Sequence, residues 1–179
     1  MSDILYAEIL DGKEMEMSRP NKNHIKVTGN LYHYLYDQFD DGRYTIVLEP
    51  NLYLDDNNLF FPDIVICREE IVQSSGIYDP PELVVEILSP STSKIDKQFK
   101  FNKYFDFGIL EYWIVEPNTG MIDVYYERKL WDSFHYVTDE HYNQLSSKQK
   151  ELVRTKVKSC VFPNMELELK NAFRKINIM

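Results

Sequence analysis

The chain has 179 residues, of which 44% are hydrophobic and 14% aromatic, and its formal net charge at pH 7 is −9. A chain of this size and composition is expected to form one globular domain over residues 1–179. The acidic balance argues against indiscriminate binding along a phosphate backbone, because such binding depends on many lysines and arginines that release counterions.

The N-terminal part is predicted to form a β-hairpin followed by a long helix. Residues 4–10 and 14–17 flank Asp11-Gly12, a dipeptide that favours a tight turn because it tolerates positive φ. Pro20-Asn21 then marks the start of a helix, and apolar residues recur near helical spacing over residues 24–39.

Four strands are predicted next, at residues 44–48, 52–54, 60–67 and 83–88. Turn-forming residues replace the apolar alternation between the first three of them. The first three strands are therefore predicted to form a meander, and the third of them contains residue 63.

The C-terminal half is predicted to add a helix, a hairpin and an edge strand. Ser89-Pro90-Ser91-Thr92 ends the fourth strand and caps a helix that ends at Gly108. Residues 111–116 and 121–126 form a hairpin, and the alternation over 165–169 indicates a surface or edge strand. This element order predicts a mixed α/β fold with a central sheet flanked by helices, rather than a doubly wound parallel sheet.

Two acids lie inside apolar, β-branched strands. Asp63 follows Pro62, and Glu86 lies within Leu83–Ser89. If these strands pair antiparallel about a turn at Ser74-Ser75, the two acids face each other with their Cβ atoms about 5 Å apart. A buried carboxylate needs a cation, a donor or a proton, so the pair indicates either a Mg²⁺ or Mn²⁺ site or a buried ion-pair network.

The helix after Glu86 carries an acid, an amine and a phenol on one face. Asp96, Lys100 and Tyr104 are spaced four residues apart. The first turns of this helix can fold back over the end of the strand and bring the Lys100 ammonium near both acids. The alternative is an exposed pair of Asp96 and Lys100, which contributes about 0.3 to 0.5 kcal/mol.

In this order, these residues resemble the Uma-type restriction-endonuclease-like proteins, a branch of the PD-(D/E)XK nuclease superfamily. The resemblance covers nearly the whole chain up to about Tyr136. The segments that carry it are Tyr6–Lys13, Met17-Ser18, His24, Pro62-Asp63, Val84–Thr92, Asp96, Lys100, Tyr104 and Glu111–Pro117. The superfamily pattern has a lysine two residues after the second acid, where this chain has Leu88, and the lysine that matches the Uma-type branch is Lys100.

The resemblance implies a restriction-endonuclease-like fold and a metal-dependent endonuclease that hydrolyses phosphodiester bonds of DNA. Asp63, Glu86 and the main-chain carbonyl of Ile87 would hold Mg²⁺ (or Mn²⁺). Lys100 would orient the attacking water and stabilise the transition state. In-line attack would leave a 5′-phosphate and a 3′-hydroxyl.

Four residues are candidates for accessory roles, namely His24, Asp96, Tyr104 and Glu8. His24 either reaches the outer shell of the ion or the phosphate, or is a surface residue at a helix start. Glu8 matches a family position in the first hairpin and is either a structural acid or part of the site. Glu111 also matches the family pattern, but we expect it to pack within the sheet.

Two other functions stay open at the level of sequence. The first is a catalytically inactive member of the same fold that binds nucleic acid or protein, which the net charge and Leu88 favour. The second is an enzyme with another substrate, because a fold does not dictate a function. We also expect a homodimer, since many nucleases cut duplexes as symmetric pairs.

The sequence also suggests where the protein resides. It shows no leader segment and no apolar stretch near the roughly 20 residues that span a bilayer. Cys67 and Cys160 lack a Cys-x-x-Cys spacing, so neither a disulfide framework nor a structural zinc site is expected. A soluble protein of the reducing cytoplasm fits best.

Overall fold

The computed structural model describes residues 7–17, 19–39, 42–89, 96–176 and 178. The described chain opens with a hairpin of β1 (Ala7–Leu10) and β2 (Lys13–Glu16). Asp11 and Gly12 form its turn with φ values of 48° and 75°. The predicted hairpin is therefore confirmed, and its turn uses the positive φ that this dipeptide tolerates.

Helix α1 (Lys22–Tyr36) follows and continues into a 3₁₀ turn at Asp37–Phe39. The side chain of Asn21 caps the helix by accepting from the backbone N–H groups of Asn23 and His24. The predicted helix is confirmed, and it begins two residues earlier than expected because of this cap.

The chain then forms β3 (Tyr44–Leu48), β4 (Leu52–Asp55), β5 (Asn58–Phe60) and β6 (Ile64–Arg68). The single strand predicted over 60–67 is wrong, because β5 and β6 belong to different sheets. Pro62 lies between the two strands and has no N–H to offer a ladder. The Phe61 N–H donates to a side chain, Glu8 Oε1, at 2.9 Å.

A 3₁₀ turn at Glu69–Ile71 leads to the short strands β7 (Val72–Gln73) and β8 (Gly76–Ile77) and then to β9 (Leu83–Ile87). Strand β9 pairs antiparallel with β6 through Ile64↔Val85, Val65↔Val84 and Ile66↔Leu83. This is the register predicted for a turn at Ser74-Ser75, and the β7–β8 hairpin closes around that turn. The tip of the predicted hairpin, β7 and β8, nevertheless lies in the first sheet, whereas β6 and β9 lie in the second.

Beyond β9, a π-helical turn at Asp96–Lys100 runs into α2 (Phe101–Phe107), which ends at Gly108 with a φ of 107°. The predicted end of this helix is confirmed, whereas its proposed cap at Ser91-Thr92 lies outside the described residues. The remaining elements are β10 (Glu111–Glu116), β11 (Met121–Tyr126), β12 (Lys129–His135), α3 (Asp139–Gln144), α4 (Ser147–Lys150), β13 (Lys156–Lys158), β14 (Glu166–Glu168) and α5 (Leu169–Ala172).

The strands form two six-stranded sheets and one small sheet. The first has the order β2-β1-β5-β4-β8-β7, the second has the order β12-β11-β10-β9-β6-β3, and β13 pairs with β14. In the second sheet β9 and β10 run parallel and their neighbours run antiparallel. The fold is therefore the mixed α/β arrangement that the sequence predicts. Within the described ranges, none of the helices combines the length and apolarity required to cross a bilayer.

Two apolar cores contact the second sheet. One contains Leu31 of α1 together with Ile64 and Val85, and the other contains Tyr104 of α2 together with Val84. Alternate residues of β6 and β9 enter different cores because successive strand side chains point to opposite faces. Helices α1 and α2 thus approach the end of β9 from two sides.

Candidate active site

The two acids meet where β9 ends and β6 begins. Asp63 directly precedes β6, and Glu86 and Ile87 are the last two residues of β9. Asp63 Oδ2 accepts a hydrogen bond from the Ile87 N–H at 2.6 Å. Both acids are buried. One step beyond the Ile64↔Val85 pair, Asp63 therefore lies beside Glu86, as the predicted register requires.

Lys100 brings an ammonium group into this buried site. Its Nζ lies 3.0 Å from Glu86 Oε1 and 2.7 Å from Glu8 Oε1, and the residue is only 1% exposed. The alternative of an exposed surface pair is therefore wrong for Lys100. The side chain of Asp96, its suggested partner in that pair, lies outside what the structure describes.

Tyr104 lies one helical turn beyond Lys100 and reaches the same acid. Its hydroxyl donates to Glu86 Oε1 at 2.6 Å. Burial, together with the neighbouring Glu86 carboxylate, raises the pKa of Tyr104 well above its usual value. The phenol therefore stays a hydrogen-bond donor and fixes the orientation of Glu86.

His24 approaches Asp63 from α1. Its Nε2 lies 3.0 Å from Asp63 Oδ1, and the His24 side chain is 10% exposed. Of the two alternatives for His24, the surface residue is therefore wrong. The sequence signal for its position is Asn21, which caps the helix and places His24 in the first turn.

Glu8 connects the N-terminal hairpin to the site. The residue is 1% exposed, and its Oε1 accepts from the Phe61 N–H and contacts the Lys100 ammonium. Leu88 occupies the position where the superfamily pattern has lysine, and it is buried in the core that contains Tyr104. The ammonium therefore reaches Glu86 from the helix rather than from the strand.

The donor set at the end of β9 suits a small divalent ion. Asp63 and Glu86 offer carboxylate oxygens, and His24 offers an imidazole nitrogen. Three buried acids, Glu8, Asp63 and Glu86, lie at this site with the Lys100 ammonium, and a divalent ion would offset part of their negative charge. In the part of the chain that the structure describes, no three His, Cys, Asp or Glu side chains are already grouped as metal ligands.

Glu111 is a structural acid, as expected. It is fully buried at the start of β10, and its Oε1 accepts from the indole N–H of Trp113 at 2.5 Å. Its Oε2 accepts from the Ser159 hydroxyl at 2.7 Å and from the N–H groups of Cys160 and Val161 at 2.8 Å each. The carboxylate therefore fastens the C-terminal segment to the second sheet and is occupied by donors.

The mixed sheet, with two acids and a lysine at one strand end, defines a restriction-endonuclease-like fold. The family model that matches the chain is Uma2, described as "Putative restriction endonuclease", and it matches residues 3–153. The chain belongs to this family.

The chain is also similar to two uncharacterized proteins and, in its fold, to a solved structure. Over 148 residues the chain is 27% identical to the uncharacterized protein sll1609 of Synechocystis sp. PCC 6803, covering 80% of this chain and 75% of that protein. It is 30% identical over 125 residues to the uncharacterized protein slr1290 of the same organism, covering 67% of this chain and 65% of that protein. A crystal structure described as a putative nuclease belonging to DUF820 from Anabaena variabilis aligns with a TM-score of 0.68 and 17% identity, over 93% of this chain and 89% of that one.

Proposed function

We propose that the chain is a divalent-metal-dependent endonuclease that hydrolyses phosphodiester bonds of DNA. The observation that carries the proposal is the convergence of Asp63, Glu86 and Lys100 at the end of β9 in a member of the Uma2 family. Two buried acids beside a buried ammonium are costly for stability alone, because removing charges from water is expensive. A catalytic role would account for the burial of these three charged groups.

Asp63, Glu86 and the Ile87 carbonyl would hold Mg²⁺ or Mn²⁺. When bound, the ion would neutralise charge on the scissile phosphate and lower the pKa of a water molecule. Lys100 would donate to the attacking water or to a phosphate oxygen and stabilise the charge that develops there. Tyr104 would hold Glu86 in place through its hydroxyl group.

Glu8 would keep Lys100 in place during this reaction. The Lys100 ammonium lies 3.0 Å from Glu86 Oε1 and 2.7 Å from Glu8 Oε1, so Glu8 holds it beside the acid that would bind the ion. Since Glu8 is itself fixed by the Phe61 N–H, it holds Lys100 near the segment that carries Asp63. The Glu8–Lys100 pair would therefore allow a lysine at the start of α2, rather than one on β9, to serve the site.

The proposed substrate is double-stranded DNA, and the proposed active form is a homodimer. The family description names restriction endonucleases, which supports DNA. A symmetric pair would present one site to each strand of a duplex. With a net charge of −9, contacts to DNA would be local to the site rather than spread over the surface.

Plasmid nicking and linearisation test this proposal. Purified protein is assayed with Mg²⁺, with Mn²⁺ and with EDTA, beside Asp63→Asn, Glu86→Gln and Lys100→Ala. Asp56→Asn, in an exposed turn, is the matched control and should keep full activity. We expect cleavage by the wild type and the control alone, with circular dichroism verifying that each variant is folded. Cleavage that survives Asp63→Asn or Glu86→Gln would contradict the proposal.

A non-catalytic member of the same fold is the second candidate. The observation that favours it is that Lys100 pairs with Glu86 and Glu8 while His24 contacts Asp63, so each acid already has a partner. A folded wild type that leaves duplex DNA, single-stranded DNA and RNA intact with both metals would favour this candidate. Retention of nucleic acid on a filter would then identify its ligand.

A further inference from the structure

We infer that His24 is a direct ligand of the divalent ion at Asp63, and that the centre therefore prefers Mn²⁺ and similar transition metals to Mg²⁺. The inference deepens the proposed function, because it rests on the ion site proposed there. It adds an imidazole ligand to the two acids and the Ile87 carbonyl.

The first observation is the separation of the donor atoms. His24 Nε2 and Asp63 Oδ1 are 3.0 Å apart. Adjacent ligands of an octahedral ion, each about 2.1 Å from the metal, are themselves about 3 Å apart. The two atoms therefore already have the spacing of neighbouring ligands in one coordination sphere.

The second observation concerns the other ring nitrogen. His24 Nδ1 lies 3.5 Å from Thr28 Oγ1, and the Thr28 hydroxyl donates to the His24 carbonyl at 3.0 Å. The Thr28 hydroxyl oxygen therefore lies beside Nδ1 while its proton is directed to the His24 carbonyl. Metal-bound histidines commonly direct their second N–H to an acceptor.

His24 Nε2 is the ring nitrogen that faces the carboxylate of Asp63. An imidazole nitrogen and a carboxylate oxygen at this separation can share either a proton or a metal ion. A divalent ion would bind both atoms at once and would offset the negative charge of the buried acids nearby.

The third observation is that both side chains are held in place. Asp63 Oδ2 is engaged by the Ile87 N–H at 2.6 Å, so the other oxygen is the one that faces His24. The backbone of His24 is fixed by the Asn21 cap at 3.0 Å, and Val27 and Leu31 anchor α1 in the core. The pair therefore needs little rearrangement to receive an ion.

The ligand type sets the metal preference. Imidazole nitrogen suits first-row transition metals, whereas Mg²⁺ favours oxygen ligands and retains several waters. A site with one nitrogen and several oxygens is therefore expected to bind Mn²⁺ more tightly than Mg²⁺. Replacing His24 should remove most of that preference.

Pulsed electron paramagnetic resonance of the Mn²⁺-loaded protein tests the inference directly. A coordinated imidazole gives ¹⁴N modulation of the Mn²⁺ echo. We expect this modulation in the wild type and in His33→Asn, an exposed histidine of the same helix, and its loss in His24→Asn. Calorimetry should show Mn²⁺ affinity reduced at least about tenfold in His24→Asn, with a smaller change for Mg²⁺.

A second variant protects the test against misfolding of His24→Asn. The other three histidines, His33, His135 and His141, are all exposed and can be replaced together by asparagine. Modulation that persists in this triple variant must come from His24. Bound Mn²⁺ without ¹⁴N modulation in the wild type, or no bound Mn²⁺, would overturn the inference.

Nicking assays on the same preparations separate this inference from the proposed function. Nicking without ¹⁴N modulation would leave the nuclease intact and remove His24 as a ligand. Modulation without nicking would retain His24 as a ligand and remove the nuclease.

Discussion

Lys100 Nζ lies 3.0 Å from Glu86 Oε1, although the lysine lies at the start of a helix and the glutamate lies near the end of strand β9. The superfamily pattern instead has lysine two residues beyond this acid, where the chain has a buried Leu88. The ammonium can therefore reach the same carboxylate from a different part of the backbone. Because Lys100 is enclosed with Glu86 and Glu8, the three charges depend on one another for stability.

Lys100→Met should be strongly destabilising. The substitution preserves much of the side-chain volume but leaves Glu8 and Glu86 without their shared ammonium. Removing one partner of a buried ion pair costs about 3 to 5 kcal/mol, because the remaining charge stays desolvated. Urea unfolding at pH 7 measures the change in the free energy of unfolding.

Lys103→Met is the matched control for this prediction. Lys103 lies on α2 and pairs with Asp11 at 2.5 Å, but its side chain is 28% exposed and that of Asp11 is 57% exposed. An exposed pair contributes roughly 0 to 1 kcal/mol. Equal losses in Lys100→Met and Lys103→Met would contradict the structural account of Lys100.

Glu8→Gln should destabilise the protein through Lys100. Glutamine keeps an oxygen for the Phe61 N–H but removes the charge that lies 2.7 Å from the ammonium. We expect a loss of about 1 to 3 kcal/mol, less than for Lys100→Met, because the ammonium keeps its contact with Glu86 at 3.0 Å. The double variant with Lys100→Met should lose less than the two single variants together, with a coupling of about 0.5 to 3 kcal/mol. Additive losses in urea unfolding would contradict the coupling between Glu8 and Lys100. Glu16→Gln, at an exposed position on β2, is the control and should change the stability little.

Much of the site could be predicted because the position of a turn determines which residues of two antiparallel strands are paired. The turn at Ser74-Ser75 determines which residues of β6 and β9 are paired, and it brings Asp63 beside Glu86. The helical spacing of Lys100 and Tyr104 likewise predicts that both side chains lie on one face, and both reach Glu86 Oε1.

The rest depends on contacts between distant segments. Pro62 is a local signal for the break between β5 and β6, but the partner of the Phe61 N–H is Glu8, a contact that spans 53 residues. The burial of His24 depends on α1 packing beside Asp63, which helical spacing alone does not determine. Local patterns predict elements and registers, whereas the partner of a buried polar group is fixed only by tertiary packing.

Glu111→Gln should destabilise the fold and leave ion binding intact. The carboxylate accepts from Trp113, Ser159 and two backbone N–H groups, and an amide would direct its own N–H toward some of these donors. We expect a loss of about 3 kcal/mol, since hydrogen bonds to a charged group contribute about 1.5 to 3 kcal/mol each. Urea unfolding and Mn²⁺ calorimetry measure the two effects separately. Weakened Mn²⁺ binding at unchanged stability would instead make Glu111 part of the ion site. Glu116→Gln, at a half-buried position on the same strand, is the control.

The Cys67 thiol should make stability fall as the pH rises above about 9. Burial, followed by the nearby Glu82 and Glu69 carboxylates, raises the pKa of Cys67 to about 12. Between its unfolded pKa, about 8.5, and this value, the unfolded chain loses the thiol proton while the folded protein keeps it. The contribution of Cys67 is therefore fully present below the unfolded pKa and is lost as the pH rises through the window, with a slope of at most about 1.4 kcal/mol per pH unit.

Urea unfolding of the wild type and of Cys67→Ala at pH 8, 9.5 and 10.5 checks this prediction. The variant should start lower, because a small cavity replaces a fully buried side chain, but its stability should fall less steeply with pH. Cys160→Ala is the comparison, since burial raises the pKa of that thiol only to about 11 and its effect should be smaller. Parallel pH profiles for the wild type and Cys67→Ala would show that the Cys67 thiol ionises equally in the folded and unfolded chains. The buried environment assigned to it on β6 would then be incorrect.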